Sequence, residues 1–131
     1  MPSSNPRSRF EDIIGEIDFV TSATAGMSFE SFVADATIRR AVERAYAIIS
    51  EAAVKLGDEA ETLAPEIPWH DVRGIGDRIR HEYGNIDFQT LWTIRCDDLS
   101  PLRTACVKAL TQLAAPEAPS NGNGKGEPKP D

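Results

Sequence analysis

The chain has 131 residues, a formal net charge of −7, and 40% hydrophobic and 27% charged residues, which excludes a fibrous or wholly disordered protein. No apolar run approaches the roughly 20 residues that span a bilayer, and the start, Met1-Pro2-Ser3-Ser4-Asn5-Pro6-Arg7, lacks the apolar stretch of a signal peptide, so a cytoplasmic protein with no membrane partner is expected. The acidity opposes a nonspecific grip on nucleic acid, which draws on Lys and Arg releasing counterions from phosphates, so activity on RNA would need a local basic site or a second subunit.

Phe10, Ile13, Ile14, Ile17 and Val20 recur at three- and four-residue intervals among acidic residues, which predicts an amphipathic helix over about 8–23 with Ser8 as its cap. After a break at Ala25-Gly26-Met27, Ser28-Phe29-Glu30-Ser31 suggests a short second helix to about Ala34 with an imperfect capping box. The clearest helix is the third, over about 36–56: Ile38, Ala41, Val42, Ala45, Ile48, Ile49, Ala52 and Leu56 form one stripe, and Gly57 ends it. Residues 58–66 read as an acidic connection closed by Pro65 and Pro68. A fourth helix is expected from Trp69 to Tyr83, stopped by Gly84-Asn85. From Phe88 a near-heptad stripe runs to about Ala114, with a kink or restart near Ser100 because Pro101 cannot sit in a helix interior without cost. Residues 115–131 are rich in Pro and Gly, hold no large apolar side chain and are expected to be a disordered tail. Cys96 and Cys106 fall in predicted helix, roughly 15 Å apart, too far for a disulfide, and read as small core residues. These elements sum to one all-α domain over 1–114, an up-down bundle of four to five helices.

One segment departs from this plain pattern: Ile67-Pro68-Trp69-His70-Asp71-Val72-Arg73-Gly74-Ile75-Gly76-Asp77-Arg78-Ile79-Arg80-His81-Glu82-Tyr83. Two glycines inside a helix cost about 1 kcal/mol each relative to alanine, so close packing or function must favour them. On a continuous helix, Asp77, Arg78 and His81 would share a face.

At these residues the chain resembles the HepT-like family of HEPN-domain proteins, small helical-bundle toxins encoded beside a minimal nucleotidyltransferase antitoxin. The resemblance rests on Ile67-Pro68-Trp69, on the Gly74 to Tyr83 stretch ending in His-x-Tyr, and on Asp97-Asp98-Leu99-Ser100-Pro101-Leu102. Ala25-Gly26-Met27-Ser28-Phe29 and Ile49-Ser50-Glu51-Ala52-Ala53-Val54-Lys55-Leu56 extend it over about 8–113. It implies a HEPN bundle and a metal-independent endoribonuclease with no cofactor, whose site lies in the cleft of a homodimer. His81 matches the family histidine, Tyr83 the tyrosine and Asp77 the polar position. The family arginine would fall at position 76, where this chain has Gly76. Losing one donor that stabilises transition-state charge typically costs about a hundredfold to a thousandfold in rate. Arg73, one turn earlier, or Arg78, nearer His81, could supply the charge. The resemblance also implies neutralisation by the nucleotidyltransferase through attachment of AMP to Tyr83.

Plainer readings stand beside these. His81 could simply stabilise a helix C-terminus, Tyr83 could be a packed aromatic, and Arg78 and Arg80 could be solvated charges paired with Asp77 or Glu82. His70 has no partner at metal-ligand spacing, which argues against zinc. Trp69 and Trp92 read as core or interface aromatics. An alternative function is a noncatalytic scaffold that binds a nucleotidyltransferase, a reading that Gly76 and the net acidity favour.

Overall fold

Amphipathic stripes at helical spacing must be buried against one another, and the computed structural model, which describes residues 5–114, shows how. Helix α1 (Pro6–Ala23) begins with proline in its first turn and is capped by Asn5, whose side chain accepts from the Ser8 amide at 3.1 Å. Ser8 is thus inside the helix, where it donates to the cap. Phe10, Ile13, Ile17 and Val20 of α1 are at most 1% exposed, and complete burial of such side chains is worth about 1.5–3 kcal/mol each.

The short helix α2 (Phe29–Ala34) has a full reciprocal capping box between Ser28 and Ser31, and it buries Phe32. Helix α3 (Ala36–Leu56) starts on Asp35, which accepts from the Ile38 amide at 3.0 Å, and stops at Gly57, whose φ of +57° is readily open only to glycine. α1 packs against both α3 and helix α8 (Leu99–Ala114). Arg103 of α8 ties to Asp18 of α1 through two hydrogen bonds of 2.7 and 3.2 Å. Arg95 donates to the Thr24 hydroxyl at 2.8 Å, and that hydroxyl donates to the Val20 carbonyl, so the only buried polar side chain of the described residues is satisfied.

The stretch expected as an acidic connection is partly helical: α4 (Asp58–Leu63) follows Gly57, with Asp58, Glu59 and Glu61 in its first turn, where carboxylates offset the helix dipole. The expected helix from Trp69 to Tyr83 is not continuous. It consists of α5 (Trp69–Arg73) and α6 (Ile75–Arg78), then a single 3₁₀ turn at Glu82–Gly84. Asp77, Arg78 and His81 therefore do not share a helix face, because the helix ends before His81.

Helix α7 (Phe88–Thr93) leads through a π-type turn at Ile94–Asp98 into α8. The junction residues Thr93, Ile94 and Leu99 keep helical torsions, so the helix does not restart at Ser100; the widened turn just before Pro101 accommodates its missing N–H. Cys106 is buried, and the apolar surroundings push its thiol up to about 12, whereas Cys96 is exposed and not the core residue expected. No disulfide joins them. Among the described residues there is no strand, only an isolated antiparallel bridge between Arg80 and Ile86. No helix of those residues is long and apolar enough to cross a membrane. The tail expected at 115–131 lies outside the described residues.

Candidate active site

The site is built on a backbone hairpin that closes where the helical pattern fails. Around the Arg80 to Ile86 bridge, the His81 amide donates to the Asn85 carbonyl, and the Asp87 amide donates to the Ile79 carbonyl at 2.6 Å. Between these rungs the chain reverses through Tyr83 and Gly84, at φ of +63° and +78°. Ile79 is buried and anchors one arm to the core; Asp87 caps α7 at the other, accepting from the Gln89 and Thr90 amides. Residues six apart in sequence thereby become neighbours.

The imidazole of His81 lies outside the bundle, its side chain 62% exposed, with Nε2 2.9 Å from Oδ2 of Asp87. Asp87 also accepts from the Thr90 hydroxyl at 2.6 Å. That hydroxyl first, and the His81 ring second, pull the Asp87 carboxyl down to about 2, so it is an anion at every physiological pH. A fixed carboxylate holding Nε2 sets the ring's orientation and leaves Nδ1 for proton transfer. Sequence reasoning missed Asp87. Its signal was an Asp three residues before Thr90, an N-cap pattern, but nothing local ties that cap to a histidine upstream.

Tyr83 is 97% exposed. It is also the only non-glycine residue with positive φ among those described, and a side chain there costs about 1–2 kcal/mol. A strained phenol that packs on nothing is held in place by the hairpin alone. Replacing it by glycine should leave the melting temperature unchanged or raise it by a few degrees, since relief of strain outweighs or balances the roughly 0.5–1 kcal/mol of added unfolded-state freedom. Thermal denaturation checks this, and a clear drop would mean that the ring packs after all.

The arginines separate. Arg73 is fully engaged: Nη1 and Nη2 meet the Glu61 carboxylate at 2.8 and 2.7 Å, Nη2 also reaches the Gly57 carbonyl at 3.0 Å, and Nε reaches that of Ala53 at 3.3 Å. The guanidinium holds the Glu61 carboxyl below its usual range. Ser50 donates to the Arg73 carbonyl at 2.6 Å, so backbone and side chain together clamp α5 onto the α3 to α4 junction. Arg78 is exposed and makes one ion pair, 3.2 Å to Asp98. Arg73, Asp77 and Arg78 line one shallow depression beside His70, and His81 is not on its wall.

Arg80 is exposed, as the sequence suggested, but its partner is a carbonyl and not Asp77 or Glu82. Its Nη1 donates to the Gly76 carbonyl at 3.1 Å and lies 3.1 Å from where a Cβ at position 76 would stand. The guanidinium fills the space that glycine leaves empty. No group of His, Cys, Asp and Glu among the described residues could hold a metal ion.

Residues 13–109 match the family model described as "Ribonuclease HepT-like", and the chain belongs to that family of HEPN ribonucleases. Among curated proteins it is 34% identical over 87 residues to "Putative RNase TTE0752" of Caldanaerobacter subterraneus subsp. tengcongensis, covering 66% of this chain and 78% of that one. It is 33% identical over 93 residues to "Probable ribonuclease HepT" of Thermococcus cleftensis, covering 71% and 84%. It is 29% identical over 113 residues to "Putative RNase MJ0125" of Methanocaldococcus jannaschii, covering 86% and 97%. No solved structure matches the chain.

Proposed function

We propose that this HepT-type ribonuclease is a metal-independent endoribonuclease toxin that works through His81. The observation that carries the reading is the exposed imidazole held by the anionic Asp87. His81 Nδ1 takes the proton of a ribose 2′-hydroxyl, the 2′ oxygen attacks the adjoining phosphorus, and the 5′ oxygen leaves. A guanidinium steadies the charge that builds on the phosphorane oxygens. Of the two arginines expected from sequence, Arg78 fits better, because Arg73 already spends its N–H groups on Glu61 and two carbonyls. Asp77 is exposed near Arg78 and orients it or the strand.

Control falls on Tyr83, the acceptor of AMP from a minimal nucleotidyltransferase antitoxin; its bare exposure suits attack by another enzyme, and the added phosphate places negative charge where RNA must approach. The active form is a homodimer, with the two hairpins facing each other across a cleft. The competing reading, a noncatalytic scaffold for the nucleotidyltransferase, is favoured by Gly76 and by the net charge of −7. The purified chain, free of partner and modification, should cleave RNA in excess EDTA. Coexpression with active antitoxin should raise its intact mass by one AMP, and Tyr83→Phe should prevent the rise. No cleavage by the unmodified protein would leave the scaffold; an unchanged mass would remove Tyr83 as the control point.

A further inference from the structure

Most arginines of this chain have clear structural partners. Arg9, Arg73, Arg78 and Arg103 meet carboxylates, Arg39 lies over the Phe88 ring, and Arg95 bonds Thr24 beside Trp92. Among the described residues, that leaves four with neither carboxylate nor ring: Arg7, Arg40, Arg44 and Arg80. Three of those four, all but Arg7, line one groove of about 340 Å³ between α3 and the hairpin.

Arg40 and Arg44 stand one turn apart on α3, so their charges repel with no bonded carboxylate to offset them. Arg80 faces them from the hairpin, held against Gly76. Glu43 is the single carboxylate of the lining. Three positive charges against one, on a protein of net charge −7, make this groove the place where the surface draws a polyanion that the rest repels. The floor is apolar, with Ile79 beneath Arg80. Arg80 and Ile86, which pair across the hairpin, both line the groove, whereas His81, which pairs with Asp87, does not. A planar guanidinium matches phosphate oxygens with paired donors.

We infer that the groove bounded by Arg40, Arg44 and Arg80 binds the phosphodiester backbone of a single RNA strand beside the hairpin that carries His81. The inference rests on the ribonuclease reading for its choice of ligand, but the binding itself can be measured without cleavage. Arg80 takes one phosphate from the hairpin side. Arg40 and Arg44 take those further along, and the missing side chain at Gly76 lets the Arg80 guanidinium lie where a Cβ would shift it by a few tenths of an ångström.

The probe is a fluorescein-labelled oligouridylate with 2′-O-methyl riboses, which blocks the attack and keeps the strand whole, titrated with the full chain by fluorescence anisotropy. Arg40→Gln with Arg44→Gln, and separately Arg80→Gln, should weaken binding at low salt, the double variant about tenfold. Each phosphate no longer neutralised should reduce the slope of log K against log salt by about 0.7. Lys108→Gln, on α8, removes one charge of the same sign and should bind as the wild type does. His81→Ala should bind normally. Thermal melts confirm that each variant is folded.

The inference is overturned if the wild type does not bind the probe at low salt, or if the groove variants bind no worse than Lys108→Gln. A change in sedimentation mass in the arginine variants with unchanged RNA affinity would also overturn it, by making the groove an interface between copies of the chain. Binding that depends on the arginines with no cleavage of unmodified RNA by any form would uphold the groove and end only the nuclease reading.

Discussion

His81→Ala is expected to lower RNA cleavage by about a hundredfold to ten-thousandfold, the usual contribution of a positioned proton-transfer group. The ring is 62% exposed and makes its one ion pair with Asp87, so deleting it opens no cavity and the bundle should melt close to wild type. Loss of rate with stability retained is the pattern that separates a reacting group from a stabilising one. Asp87→Asn should act in the same direction but less, because the amide still occupies the position while the fixed charge that orients the imidazole is gone. Single-turnover cleavage in EDTA, beside a thermal melt of each variant, is the measurement. Full cleavage by the alanine variant would place the chemistry elsewhere or identify a contaminant.

Trp69→Ala should have the largest effect on stability, about 3–5 kcal/mol, the range for emptying a buried aromatic site. Trp69 is 1% exposed, its Nε1 donates to the Ala64 carbonyl at 2.8 Å, and its ring meets Phe10 edge on with centroids 6.4 Å apart. One side chain thus fastens the start of α5 both to the chain before it and to α1. For a domain of this size the loss corresponds to a fall in melting temperature of roughly 15–30 °C. Trp69→Phe should fall between, since it keeps most of the packing and the Ala64 carbonyl still accepts from the Ile67 amide at 3.3 Å, so that one hydrogen bond is lost, about 0.5–1.5 kcal/mol. Equal melting curves for the phenylalanine variant and the wild type would show that the indole N–H contributes nothing.

The residues of α3 announce that helix: an unbroken apolar stripe and a terminal glycine place it at 36–56 in sequence and in space, and the structure adds Asp35 as its cap. All of that information is local. The fourth segment could not be read in the same way. Its composition is helical as far as Arg78, and what ends the helix is a pairing of Ile79 and His81 with Asn85 and Asp87, contacts that exist only once the chain has turned. The same limit explains the arginines. Arg73 and Arg78 look equivalent along a helix, yet Glu61, twelve residues before Arg73, takes one of them out of service. Arg80 is the exposed charge that it looked like, but its partner is the Gly76 carbonyl one turn back and not a carboxylate. His81 and Tyr83 stood out as candidates through resemblance, the Asp87 carboxylate that meets His81 did not, and Arg40 and Arg44 carried no signal beyond being one turn apart.

The guanidinium over Gly76 puts a cation where residue 76 itself carries none. The two residues are four apart, and the Arg80 side chain leans back one turn until its Nη1 meets the Gly76 carbonyl. A search keyed to the residue at a fixed position sees only a glycine there and passes over the charge that stands against it.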